Sequence, residues 1–397
     1  MSAISLLTVK AKVPLFKKDE AANAIELIQL EEVGFECVSQ KDLYNIGDQV
    51  YFVMPDYCLT DNSLFDTYIR PGGDIKKSKL GSNNRVRAIK FGLHRGDGIN
   101  VYSQGILLPV SEVDSFLIGK IGFGETMNED KVAEKLGIFK YEEPEPSAMK
   151  TGKGGTYKPL PSGVYKTDET NIENLWTRMK WPILLYGTVK VDGSSITLYY
   201  INGKAGICSR TCDKDLVVRR KVGKRDKTWL EKLMFWRKPD LNMYQVAPSD
   251  DTFVTVGKPY LDAFVRYCTA HNLSNIVLRG ELCGKGLKGS GNPKNPHTKL
   301  EPQIIFYGVD EYVNGVARKK PVQVVYPDKE VFYEEIASQG FKMADLVFPI
   351  RQFNNKEELM AVCNEYFANN MVEGIVVRNE SSSFSAKVMN LKYDAEK

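Results

Sequence analysis

The sequence predicts an α+β protein: a small all-β module in front, then a larger unit that mixes strands and helices. Three observations support this reading. Up to about residue 118 the apolar residues come in short β-branched and aromatic runs separated by turn residues. From 120 to 165 the composition shifts to Pro, Gly and charge, and beyond that strand-like runs alternate with helical periodicity. A chain of 397 residues with 43% hydrophobic content exceeds what one core ordinarily organises, so two folding units are expected.

The first module carries "AISLLTVKAKV", "AIELIQLEEVGFECVS", "DQVYFVMPD", "RVRAIKFGLH" and "GILLPV". Five such strands suit a small barrel, and an OB-like closure over residues 1–119 is one way to seal its edges. Within it, "DIKKSKLGSNNRVRAIKFGLHRGDG" concentrates Lys76, Lys77, Lys79, Arg85, Arg87, Lys90 and Arg95. Such a run reads as a solvated loop and strand face, and on a barrel it is also suited to follow a phosphate backbone. Residues 120–165, which include "KYEEPEPSAMKTGKGGTYKPLPSG", show no periodicity and are expected to be a linker.

In the second unit, 166–397, strands are expected at 183–190, 195–201, 276–282, 303–309 and 373–378. Helices are expected near 167–179, 258–271, 329–339 and 356–369; in the last, Leu359, Cys363 and Phe367 recur at helical spacing. The basic stretch "VVRRKVGKRDKTWLEK", 217–232, reads as an exposed loop leading into a helix.

Composition also narrows the function. No apolar run reaches membrane-spanning length and no stretch resembles a signal peptide, so a reducing, cytoplasmic address without a membrane partner is expected. Seven cysteines show no disulfide spacing, and Cys208 and Cys212 lack a second pair to complete a zinc site. The three histidines, His94, His271 and His297, form no metal-like pair, which argues against His-based catalysis. A formal charge of +4 permits a polyanionic partner without requiring one.

The chemistry gathers around "YGTVKVDGSSITLYY", 186–200. An Asp-Gly pair between two apolar runs predicts a hairpin tip between strands 183–190 and 195–201, with Lys190 ending the first strand and Asp192 on the same side. A lysine snorkelling from a hairpin end beside an exposed aspartate fits these few residues equally well. Other stretches repeat the pattern: "NIVLRGELCGKG" places Glu281 in an apolar strand, "NMVEGIVVRN" places Glu373 beside another, and "FSAKVMNLKY" adds Lys387 and Lys392. A carboxylate beside a buried strand needs a partner, a metal or water. A lysine nucleophile must lose its proton, and lowering its pKa from about 10.4 to near 7 corresponds to roughly 4–5 kcal/mol. Neighbouring cations, a bound metal and partial desolvation supply such a shift. A nucleoside triphosphate further requires Mg²⁺ or Mn²⁺, with lysines against the developing phosphate charge and carboxylates for the metal. The inventory fits covalent nucleotidyl transfer, and there is no Walker loop for ordinary P-loop hydrolysis.

Read in order, "KVDG", "CSR" (208–210), "GEL" (280–282), "FYGVD" (306–310), "EGIVV" (373–377) and "SAKV" (385–388) resemble the six nucleotide-pocket motifs of the covalent nucleotidyltransferases, which comprise DNA ligases, RNA ligases and mRNA capping enzymes. "KYEEPEP", "KTDETNIENLW" (166–176), "TVKVDGSS" and "RGELCGKGLKGSGNP" (279–293) are similar to the ATP-dependent RNA ligases that carry an OB module ahead of the transferase domain, the fifth RNA ligase family. The resemblance implies a two-sheet, ATP-grasp-like nucleotidyltransferase domain with flanking helices. It makes Lys190 the nucleophile toward ATP, Asp192 and Glu373 the holders of Mg²⁺ or Mn²⁺ through its waters, and Glu281 a holder of the metal or the ribose. Arg210, with Ser209 beside it, is assigned to the ribose or the 5′-phosphate strand, Lys387 to the α-phosphate and Lys166 to the nucleotide.

Three departures accompany the match: Val189 stands where relatives often have Glu, Val309 where an aromatic often stacks on the base, and Met389 where a second lysine can occur. Tyr307 and Lys392 are the substitutes in sequence. The implied reaction proceeds through lysyl-AMP and an AMP-capped RNA 5′-phosphate to a seal with a 3′-OH, on duplex RNA nicks, by a monomer. A DNA ligase, a GTP-dependent capping enzyme and a non-enzymatic RNA-binding protein on a decayed scaffold are the alternatives.

Overall fold

The computed structural model describes residues 2–122, 125–141, 158–164, 166, 168–228, 242–287, 294–313, 316–318, 336–338, 340–380 and 384–395. At the front, five antiparallel strands lie in the order Glu36–Gln40, Glu20–Leu30, Ile4–Lys17, Gln49–Val53, Ile106–Pro109. The sheet curls because Ile4–Lys17 changes partner along its length. Its first residues pair with Gln49–Val53, and after a register shift between Val9 and Ala11 it follows Glu20–Leu30.

Two expected strands come out differently. "AIELIQLEEVGFECVS" is two strands, broken near Gly34, whose N–H is held by the Glu173 carbonyl at 2.8 Å. "RVRAIKFGLH" shrinks to Ala88–Lys90, outside the main sheet, because Val86 instead exchanges backbone hydrogen bonds with Tyr57 and Asp56. The stretch expected to be a linker contains a helix, Glu129–Leu136, with Asn128 as its N-cap and Gly137 (φ 72°) closing it. Val132, Ala133 and Leu136 pack this helix into the first module's core, and Ile138–Lys140 adds a strand to Tyr57–Leu59.

The second unit has two sheets. One runs Thr170–Asn171, Ser385–Met389, Gly374–Arg378, Ile183–Lys190, Leu346–Phe353; the other runs Lys204–Ser209, Ser194–Ile201, Ile276–Cys283, Gln303–Val313, Val316–Arg318. Each is covered by one long helix. Phe253, Leu261 and Phe264 of Thr252–Ala270 pack on Ile196, Leu198, Ile207 and Phe306. Leu359 and Cys363 of Lys356–Asn369 pack on Leu185, Ile375 and Val377. The first of these helices starts six residues before the expected 258, capped by Asp251; Pro259 inside it obscures the start in sequence.

Residues 167–179 do not form the expected α-helix. Thr170–Asn171 pairs in parallel with Ala386 and Lys387, and two 3₁₀ turns follow, the first capped by the Asn171 side chain. The helix expected at 329–339 lies largely outside the described residues; 336–338 are helical. Residues 217–224 of the basic stretch form not a loop but a strand, Val217–Lys224, paired with Asn242–Pro248, and the helix expected after it lies outside the described residues.

The hairpin predicted at "KVDGSS" does not form. Ile183–Lys190 pairs with Gly374–Arg378 and Leu346–Phe353, whereas Ser194–Ile201 pairs with Lys204–Ser209 and Ile276–Cys283. The Asp-Gly step is therefore a crossover from one sheet to the other. Gly193 serves close approach: a Cβ there would sit 2.7 Å from the Leu282 carbonyl oxygen and 3.3 Å from Glu281 Cβ.

Candidate active site

The crossover places the end of one sheet against the middle of the other. Lys190 closes its strand in register with Gly374, so Glu373 arrives beside it from the neighbouring strand. The absence of a side chain on Gly374 permits this, since a Cβ there would run into the Val388 carbonyl. In Ile276–Cys283, Leu278 and Leu282 point into the helix-covered core, which leaves Glu281 on the opposite face.

The result is an amine surrounded by carboxylates. Lys190 Nζ is ion-paired with Glu373, and the charges of Glu281 and Asp192 also reach it. Burial pushes the amine's pKa down, but Glu373, followed by Glu281 and Asp192, outweighs burial and holds it well above the ordinary lysine value. Glu281 is pushed up to about 8 by burial, with Glu373 and Asp192 adding to the shift against the pull of Lys190. Cations are expected around the nucleophile, but they engage another acid: Arg210 lies 3.5 Å and Lys387 3.7 Å from Asp168, which also pairs with Lys140 of the first module. As it stands, the pocket stores a protonated lysine and is short of positive charge. That donor set, three carboxylates and no sulfur or imidazole, suits a hard divalent cation. Among the described residues, no three His, Cys, Asp or Glu side chains converge closely enough to hold one ion by themselves.

Asp192 is 5% exposed and fixed from two sides. Tyr393 Oη donates to its Oδ2 at 2.6 Å, and Asn295 Nδ2 donates to its backbone carbonyl at 2.8 Å. Tyr393 belongs to the short helix Leu391–Ala395, and the next residue, Asp394, accepts from the Ala88 N–H of the first module at 3.1 Å. Tyr393, Asn295, Asp168 and Lys140 all escaped the sequence reading. "KTDE" carried a signal for Asp168, an acid next to a lysine in an exposed segment, whereas nothing local points to a tyrosine 201 residues from its partner.

The remaining predicted residues are distributed as follows. Tyr307 is half-buried at the register shift between Gln303–Val313 and Ile276–Cys283, where Arg279 pairs with Gly308 and Gly280 with Phe306. Phe306 points into the helix-covered core, so Tyr307 faces the same side as Glu281. Ser209 is buried, and its hydroxyl is engaged with Cys212 in the turn that carries Arg210. Lys166 and Lys392 are exposed, the latter on the helix of Tyr393. In the first module, Lys76 and Lys77 end a 3₁₀ turn capped by Asp74, and Arg87 reaches the Lys79 carbonyl. Arg85 is ion-paired with Asp56 and lies 4.5 Å over the Tyr141 ring.

A family model described as RNA ligase matches residues 184–393, more than half of the chain and the whole of the carboxylate-ringed lysine site. None of the curated proteins matches the sequence significantly. Among solved structures, Naegleria gruberi RNA ligase with PPi is similar at a TM-score of 0.64 and 19% identity, over 99% of this chain and 98% of that one. A lysine-to-alanine variant of that enzyme with ATP and Mn gives 0.67 at 18% identity, over 100% of this chain and 99% of that one. A lysine-to-methionine variant with AMP and Mn gives 0.64 at 19% identity, over 100% and 98%. At these identities the likeness is one of fold, and it extends over both units. The chain belongs to the RNA ligase family.

Proposed function

We propose that the protein is an ATP-dependent RNA ligase that uses Lys190 as a covalent AMP carrier. The observation that carries this reading is the Lys190 amine, half-buried where two sheets meet and ringed by Glu373, Glu281 and Asp192. An amine held among three carboxylates leaves room for a divalent cation to take its place there. The N. gruberi ligase structures with ATP, AMP and Mn support the same choice of nucleotide and metal.

Asp192, Glu281 and Glu373 would hold Mg²⁺ or Mn²⁺ through its waters. When bound, such an ion neutralises these carboxylates and the phosphate charge, which lets the amine give up its proton. The protein's own residues take the following parts. Nζ of Lys190 attacks the α-phosphorus of ATP; an N–P bond forms and the bond to pyrophosphate breaks. Arg210 and Lys387 exchange Asp168 for phosphate oxygens, Lys387 at the α-phosphate. Tyr307 faces the base, Lys166 supports the nucleotide, and Lys392 and Ser209 border the site. AMP then passes to an RNA 5′-phosphate, and a 3′-OH attacks that phosphorus and releases AMP. Each step is an in-line displacement, so one set of groups serves all three.

The assigned substrate is duplex RNA with a 5′-phosphate and 3′-OH at a nick, with the first module acting as an OB-like RNA-binding domain through Lys76, Lys77, Lys79, Arg85 and Arg87. A monomer in a reducing, cytoplasmic compartment fits the seven cysteines, all of them buried free thiols. No helix among the described residues is long and apolar enough to cross a membrane. The test is strand sealing with matched nicks. RNA-containing nicks with ATP are expected to be sealed; sealing of all-DNA nicks alone, or a requirement for GTP, would replace the assignment with a DNA ligase or a capping enzyme.

A further inference from the structure

Past the edge strand Lys204–Ser209 stands a two-stranded antiparallel ribbon, Val217–Lys224 against Asn242–Pro248, separate from both large sheets. Its register places Arg219 opposite Val246, Lys221 opposite Tyr244 and Val217 opposite Pro248, so these six side chains share one face. That face lies in water: Val217 is 57%, Tyr244 50% and Val246 63% exposed. The other face is covered only in part: Val218 and Ala247 are half-buried there, whereas Arg220 and Gln245 are exposed, with Arg220 tied to Asp250 at 3.2 Å. A two-stranded ribbon has little stability of its own, so large apolar and cationic side chains held out on it call for a partner.

We infer that this outer face is an RNA-binding surface, gripping the substrate strand next to the reacting end; the inference rests on the RNA ligase reading above and extends it. Charge selects the partner. Residues 217–228 carry Arg219, Arg220, Lys221, Lys224, Arg225 and Lys227 against one acid, Asp226, and Asn242–Pro248 carries no charge. Among the described residues no acid pairs with Arg219 or Lys221, whereas Arg220 on the opposite face has one. Cations interleaved with an exposed aromatic suit a nucleic acid strand, with phosphates on the cations and a base on the tyrosine ring. A second copy of the ribbon would bring like charges together, and protein interfaces are poor in such clusters.

Position supports the same partner. The ribbon grows from the edge that bears Arg210, through a turn fixed by Lys214 N to Ile207 O at 2.8 Å and Ser249 N to Leu216 O at 3.1 Å. A strand whose 5′-phosphate meets Arg210 would therefore run onto the ribbon.

The test compares wild type with an Arg219→Gln/Lys221→Gln variant and with Tyr244→Ala, using fluorescence anisotropy of a 5′-phosphorylated RNA over a series of salt concentrations. Loss of two phosphate contacts should make the log–log salt slope shallower by about 1.4 and weaken binding roughly tenfold at moderate salt. Tyr244→Ala should weaken binding roughly fivefold or more with the slope unchanged. Labelling of Lys190 by ATP should match wild type in both variants, which also shows that they fold. Unchanged affinity and slope would overturn the proposal. So would a fall in the protein's mass in solution with RNA affinity intact, which would make the ribbon a protein interface. If the wild type binds RNA through the ribbon but takes no label and seals nothing, the ligase reading fails while the surface stands.

Discussion

Gly193→Ala probes the crossover that builds the site. The substitution adds a Cβ 2.7 Å from the Leu282 carbonyl oxygen, where 3.4 Å is the start of ordinary contact, so the crossover and Ile276–Cys283 must separate by about 0.7 Å. Both sides of that contact carry chemistry: Lys190 and Asp192 lie within three residues before Gly193, and Glu281 precedes Leu282. Displacing reacting groups by about 1 Å costs on the order of 100-fold, so a slowing of roughly 30-fold is expected here. Overpacking of this kind destabilises by about 1–3 kcal/mol, which leaves most molecules folded. The assay is single-turnover formation of the labelled protein adduct at saturating ATP, with the melting temperature measured in parallel. A folded variant that reacts within twofold of wild type would refute the claim that backbone contact at Gly193 sets the spacing of nucleophile and carboxylates.

Tyr393→Phe removes a donor from a buried carboxylate, an interaction worth about 1.5–3 kcal/mol. Adduct formation should slow at least tenfold at limiting Mn²⁺ and recover in part as Mn²⁺ is raised; a uniform slowing at all concentrations would remove Asp192 from metal binding. Asp310→Ala removes a buried ion-pair partner of Arg279, which is 4% exposed, and should destabilise the fold by about 3–5 kcal/mol in denaturant melts. Neutralising Lys76, Lys77 and Lys79 together should weaken nick sealing while sparing the adduct, and equal loss of both would remove a substrate-binding role from the first module.

The parts of the fold that were legible in sequence are those where local pattern and tertiary role agree. Strand 183–190 and the helix at 356–369 are apolar on the period that their burial demands, and 276–282 reads as a strand buried on both faces. Sequence pattern and structure part where distant pairing decides the outcome. Asp192–Gly193 looks like a hairpin tip, but each flanking strand finds better partners far along the chain, and glycine is required by Leu282 rather than by a turn. Residues 170–178 follow a helical pattern, yet Thr170–Asn171 is captured as an edge strand by Ser385–Met389. The helix at Glu129–Leu136 was readable from Asn128 and Gly137, but the surrounding Pro-rich and Gly-rich stretch obscured its caps.

The same division holds at the site. Lys190, Glu281 and Glu373 are recognisable because charges beside apolar strands are costly without partners, and the structure brings them together. Their supports are not recognisable that way. Asp168 gathers Lys140, Arg210 and Lys387 from three separate segments, and Tyr393 reaches Asp192 from the last short helix. The electrostatic sign was also hidden: sequence lists the cations and carboxylates but not that the cations face Asp168 while the carboxylates face the amine.

The most direct measurement is the location of AMP on the protein. After incubation with α-labelled ATP and Mn²⁺, peptide mapping by mass spectrometry should find one acid-labile AMP adduct, on the peptide containing Lys190, and Lys190→Ala should abolish it. Label that survives in that variant, or that maps to any other side chain, would contradict the assignment of the carboxylate-ringed amine as nucleophile.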